Sequence, residues 1–70
     1  MPEVASFFGI SISMYYRDHP PPHVHADYGG ETASTVIEDG SVLKGRIHPV
    51  TRRIVRSWVL ANRARLVENW

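Results

Sequence analysis

The sequence predicts an α+β domain: a four-stranded, mostly antiparallel meander with one long C-terminal helix packed on one face. Three observations carry that expectation. Apolar and polar residues alternate with period two from Ile10 to Arg17 and again from His23 to Tyr28. Two dipeptides, Gly29-Gly30 and Asp39-Gly40, stand where two-residue hairpin turns would separate successive strands. Past His48 the apolar period lengthens toward 3.6, and no Gly or Pro interrupts the chain from Val50 to Trp70.

Taken in order, Ile10, Ile12, Met14 and Tyr16 alternate with Ser11, Ser13, Tyr15 and Arg17, the pattern of a half-buried first strand. The second strand runs from His23 to Tyr28 and turns at Gly29-Gly30. The third runs from Glu31 to Glu38, rich in Thr and Val, and turns at Asp39-Gly40 into the fourth, Ser41 to Ile47. Pro49 suits the first turn of the closing helix. On that helix Val50, Ile54, Val55, Trp58, Val59, Ala61, Leu66 and Trp70 fall on one arc, broken by Asn62 and Arg65. Arg52, Arg53, Arg56 and Arg63 gather opposite.

Two-residue turns set the register by counting. Tyr28 then opposes Glu31, Ala26 opposes Ala33, His25 opposes Ser34 and His23 opposes Val36; beyond Asp39-Gly40, Ile37 lies beside Val42 and Val36 beside Leu43. One face so built holds Val24, Ala26, Tyr28, Ala33, Ile37 and Val42 and is the better floor for the helix. The other holds His23, His25, Asp27, Thr32 and Ser34, and the first strand adds Ser11, Ser13, Tyr15 and Arg17. The expectation is an open face bearing imidazoles, hydroxyls, a phenol and a guanidinium.

Size and composition bound what the protein can be. At 70 residues it is one domain, residues 1–70, and a chain of this length removes only about 60% of its unfolded surface from water. With no Cys there is no disulfide or thiolate zinc site to staple it, so a homo-oligomer or a hetero-complex is expected to supply further burial. The 43% hydrophobic content argues against disorder. Glu3 followed by Phe7-Phe8-Gly9 offers no leader or membrane span, which makes a cytoplasmic protein the expectation. Net charge is +1 but divides unevenly. Residues 1–43 set Arg17 against Glu3, Asp18, Asp27, Glu31, Glu38 and Asp39; residues 44–70 set Lys44 and six arginines against Glu68 alone. The basic half either neutralises the acidic half across the fold or meets phosphate or an acidic protein.

The chemistry-bearing segment is His19-Pro20-Pro21-Pro22-His23-Val24-His25-Ala26, with three of the four histidines around a run of proline. Proline fixes φ, so the arm from His19 to Pro22 reads as a stiff, polyproline-like connector. Imidazole titrates nearest neutrality, which suits proton transfer, metal ligation and contact with anions. As an acid–base site, His23, His25 and His19 with Arg17 hold the parts of a metal-free ribonuclease: a base for a 2′-hydroxyl, an acid for the leaving oxygen and a cation for the phosphate. As a metal site, residues two apart on a strand lie on one side, so His23 and His25 could share a divalent transition metal with Asp27; the acid–base reading needs no cofactor. As a nucleic-acid surface, Arg52, Arg56 and Arg63 form a ridge for phosphate and Tyr15 could stack on a base. Against all three stands the plainer reading, polar strand residues facing water. Residue types alone do not decide whether the chain is an enzyme.

The opening Met-Pro-Glu-Val-Ala-Ser-Phe-Phe-Gly-Ile, the stretch Met14-Tyr15-Tyr16-Arg17-Asp18-His19 leading to Pro21-Pro22-His23-Val24-His25-Ala26, the Tyr28-Gly29-Gly30 turn and the closing Glu68-Asn69-Trp70 resemble a bacterial family catalogued as domain of unknown function 4160. The resemblance covers essentially the whole chain. It implies a short stand-alone protein encoded beside another small domain, an arrangement similar to toxin–antitoxin pairs, and hence a small cognate partner protein; joined to the residue reading, the expectation is a component of such a pair that binds or cleaves RNA through the histidine-bearing sheet face, the alternative being a non-catalytic metal-binding or protein-interaction module. Pro20 departs from the family pattern, in which that position varies.

Overall fold

The computed structural model describes residues 3–14 and 20–70, and of Asn69 the backbone alone. It is α+β, with an antiparallel sheet and helices at the C-terminal end. Among the described residues there are five strands where four were expected: β1 Glu3–Phe7, β2 Ile10–Ser13, β3 His23–Tyr28, β4 Glu31–Val36 and β5 Val42–Gly45. Two helices, α1 Pro49–Ala61 and α2 Arg63–Asn69, replace the single long one. The strands lie in sequence order, each pairing antiparallel with the next.

β1 escaped the alternation test because it is a short edge strand with an irregular register between Glu3 and Ala5 and exposed residues at most of its positions. It turns into β2 through Phe8 and Gly9, both at positive φ (52° and 77°). β2 sets Ile12 against Ala26 and Ser13 against His25, so its isoleucines join the apolar face as expected.

The β3–β4 hairpin follows the predicted register throughout: His23 with Val36, His25 with Ser34, Ala26 with Ala33, Tyr28 with Glu31. Gly29 and Gly30 take φ of 56° and 83°, the left-handed pair that a type I′ turn requires.

The next connection differs. Val36 N–H donates to Ser41 O (2.8 Å) and Gly40 N–H to Val36 O (2.7 Å), enclosing a four-residue loop, and only Gly40 within it has positive φ. Asp39 is used instead as a local acceptor, its Oδ1 taking the amide (2.9 Å) and hydroxyl (2.7 Å) of Ser41. Val42 therefore pairs with Thr35 rather than Ile37. A slip of two keeps each side chain on its face, so Val42 still turns toward the core side. One further residue, Leu43, is bulged out, which brings Lys44 opposite Ser34 and Gly45 opposite Ala33.

Asn62 divides the helix. Its N–H reaches both Trp58 O and Val59 O, and its side-chain amide donates to Trp58 O at 2.8 Å, closing the turn with bonds that compete with helix continuation. At the other end His48 caps α1 by accepting the Val50 N–H on Nδ1 (3.1 Å), with Pro49 in the first turn.

The core is one cluster. Ile10, Ile12, Met14, Val24, Ala26, Ala33 and Ile37 from the sheet meet Ile47, Val55, Val59 and Leu66, with Phe7, Ile54 and Trp58 at its margin. Val55 and Val59 are four apart, as an inward helical stripe demands. Phe7 and Trp58 close one margin with ring centroids 5.7 Å apart. No helix of the described residues is long and apolar enough to cross a membrane.

Candidate functional site

The face of the sheet that carries the histidines is organised in rows. Strand pairing aligns Glu3, Ser13, His25, Ser34 and Lys44 across all five strands, and Ser6, Ser11, Asp27 and Thr32 beside them. Neighbours in these rows satisfy one another: the Ser11 hydroxyl donates to Glu3, and the Thr32 hydroxyl donates to Asp27. His25 is half-buried, with Nδ1 3.5 Å from the Ser34 hydroxyl.

His23 is a different matter. It is 5% exposed, and its ring packs between His25 (centroids 5.1 Å) and Trp70 (5.2 Å). Its Nδ1 lies 2.7 Å from Pro21 O, which can only accept, so the proton sits on Nδ1. The open histidine face expected from alternation is thus closed at the His23 end by the last residue of the chain. The turn at Asn62 is what brings α2 and Trp70 there. Nearby, Ile37 N–H donates to Pro22 O at 3.0 Å, tying the proline arm to the end of β4, and the Pro20–Pro21 bond is cis where trans polyproline geometry was expected.

Of the residues singled out for acid–base chemistry, His23 and His25 are in ring contact, while Arg17 and His19 lie outside the described residues. Tyr15, singled out for base stacking, lies outside them too. For metal ligation, no group of three His, Asp or Glu side chains placed to hold an ion occurs among the described residues, and His23, His25 and Asp27 do not form one.

The arginines are sorted by the fold. Arg52 and Arg56 line one cleft of about 490 Å3 between α1 and the start of β5, together with Arg53, Ser41 and Val42. A second cleft of about 440 Å3 continues along β5 past Arg46, Ile47 and His48. Arg63 is elsewhere: its Nη1 donates to Glu38 O (2.9 Å) and it borders a mainly apolar cleft with Pro21, Pro22, Ile37 and Val67. Arg46, His48 and Ser41 drew no attention in the sequence because they belong to the ends of a strand and a loop; Arg46 and His48 lead directly into α1, and the return of α1 past the start of β5 adds Ser41 to the helix arginines.

The electrostatics of that side are cationic. The two acids near it are already engaged, Glu31 accepting the His48 N–H (3.1 Å) and Asp39 holding Ser41. The Ser41 hydroxyl, then its amide, with a smaller contribution from Arg56, hold the Asp39 carboxyl below the ordinary carboxylate value, so it stays charged. Arg56 Nε also donates to Asp39 O at 3.2 Å. The first turn of α1 carries no acidic residue of its own, and the anion at its positive dipole end is the Glu31 carboxylate on the N–H of the N-cap His48.

No curated protein and no solved structure matches this chain. A family model described as a domain of unknown function (DUF4160) matches residues 9–70, from the β1–β2 turn through the hairpins and α1 to Trp70. With nearly all of the sheet and both helices inside that match, the chain belongs to the DUF4160 family.

Proposed function

We propose that the chain is the RNA-binding member of a toxin–antitoxin-like pair, and that it holds RNA phosphates on the cationic side built by β5, the β5–α1 link and α1. The observation that carries this is the convergence of Arg52, Arg53 and Arg56 on one cleft, continued by Arg46 and His48, with the neighbouring acids engaged in local hydrogen bonds. Arginine is the side chain best shaped for this, since its planar fork contacts phosphate oxygens two at a time. The reading is of binding without turnover. Among the described residues the imidazole in ring contact with His25 is His23, which is buried against Trp70 with its Nδ1–H held by Pro21 O, whereas the arginines stand in an open cleft. Of the two surfaces the sequence offered for RNA, the histidine face and the helix arginines, this reading takes the arginines, without Arg63, which borders a different cleft. The pair itself is supported by the family resemblance, and a cytoplasmic setting goes with it.

The test is fluorescence anisotropy of a labelled RNA against the protein and an Arg52→Glu, Arg53→Glu, Arg56→Glu variant, over a range of salt. We expect binding that weakens with salt and is lost in the variant, with the His25→Ala protein binding as before. Equal binding by the arginine variant ends the proposal. Co-expression with the product of the neighbouring gene tests the pair: a stable complex is expected, and two proteins that purify apart refute it.

A further inference from the structure

We infer that the cationic side takes single-stranded RNA, read through at least one unpaired base as well as through phosphate; this rests on the RNA-binding reading above. The two clefts are one trench, because Val42, Pro49 and Arg52 line both. Its ends differ in chemistry from its middle. Arg53, Arg56 and Ser41 line the first cleft alone, and Arg46 and His48, with the Glu31 carboxylate beside them, line the second alone, while Val42 and Pro49 supply the apolar stretch common to both. Arg52 sits where the clefts meet.

Phosphates alone would be served by an exposed ridge of cations, which needs no apolar floor. A base offers an apolar face only when it is out of a duplex, and guanidinium planes such as that of Arg52 stack on such faces. The trench therefore fits a strand whose phosphates lie at its two ends and whose base lies between them. A duplex keeps its bases stacked inside and would meet only the rims. Backbone phosphate spread over both ends implies two to three contacts, and for a single strand each contributes roughly −0.7 to the log–log salt slope, giving about −2.

The experiment measures anisotropy of fluorescein-labelled octauridylate with the full-length protein between 50 and 300 mM salt. Comparison probes are an abasic oligomer of equal length, a labelled G·C-rich RNA hairpin whose stem stays paired under these conditions, and polyglutamate as competitor. We expect the abasic strand and the hairpin to bind at least tenfold more weakly. We also expect Arg46→Ala and Arg53→Ala each to lower the slope by about 0.7, with circular dichroism confirming that both variants fold. If abasic or hairpin probes bind as well as octauridylate, the single-strand inference is overturned while the RNA-binding reading survives. If no RNA binds, both fall. If polyglutamate displaces RNA and binds more tightly, the trench is a dock for an acidic protein and both fall as well.

Discussion

Replacing Gly45 with alanine probes how β5, one wall of the trench, is held against β4. Gly45 has φ of +91°, a backbone conformation that an L side chain adopts only under strain, costing about 1–2 kcal/mol. A Cβ there would also run into backbone, with Thr32 O inside van der Waals range and Ala33 Cα at 3.1 Å. Backbone cannot swing aside as a side-chain tip can. β5 must therefore lift from β4, weakening the pairing of Gly45 with Ala33 and the bond from Arg46 N–H to Thr32 O (3.2 Å), at about 0.5–1.5 kcal/mol for each hydrogen bond. The total is about 2–5 kcal/mol, in the upper range for single substitutions. A chain of this length has about 4–10 kcal/mol in all. Thermal unfolding followed by circular dichroism should then show Tm falling by roughly 10–25 °C. Gly29→Ala is the control: its φ is also positive (+56°), but nothing lies within 4 Å of the added Cβ, so it should cost only the conformational part, about 1 kcal/mol. If the two variants lose the same stability, the close approach of β5 to β4 is not what makes glycine necessary at position 45.

Three further outcomes follow from the packing and the charges. Ile12 is fully buried at the centre of the sheet, opposite Ala26, and Ile12→Ala should lose about 2–5 kcal/mol in urea unfolding, whereas a loss below 1 kcal/mol would place it outside the core. Because the Asp39 pKa is lowered in the folded state, its contribution to stability is complete above the ordinary carboxylate value of 3.8 and fades as pH falls below it. Ser41→Ala removes the largest cause, so the stability gap between the two proteins should be greatest at neutral pH and narrow as pH falls below 3.8; a gap independent of pH contradicts the assignment. Trp70→Ala uncovers His23, and its modification by diethyl pyrocarbonate, read by peptide mass, should rise toward that of the exposed His48. Unchanged reactivity would mean that Trp70 is not what shields it.

The parts of the fold legible in the sequence are those governed by local rules. Alternation around Ile10 and Ile12 marked β2, and the Gly29-Gly30 pair set β3, β4 and the register between them, because turn geometry and the two-residue period act over a few neighbouring positions; the register of β2 on β3 was not legible. β1 was not legible, since an irregular edge strand with few buried positions leaves little pattern to detect. The Asp39-Gly40 turn misled for a related reason: an aspartate can supply a left-handed residue or accept hydrogen bonds from its own loop, and here Ser41 two positions on made the second use available. At Asn62 the sequence showed only a polar residue interrupting an apolar arc; that it ends α1 depends on its side chain reaching Trp58 O.

The candidate site divides along the same line. That His25, Ser34, Asp27, Ser11 and Ser13 share a face follows from the period of a strand, and that Arg52, Arg53 and Arg56 share the outer face of α1 follows from the period of a helix. Those are intrinsic to the order of residues, because each is decided by backbone geometry repeated over short distances. Which of these faces is covered was settled only in three dimensions. The break at Asn62 carries Trp70 onto His23, and the return of α1 past the start of β5 adds Ser41 to the helix arginines. A contact such as that of His23 with Trp70, 47 positions apart, depends on where each element ends and how the next one turns, and no local period encodes that.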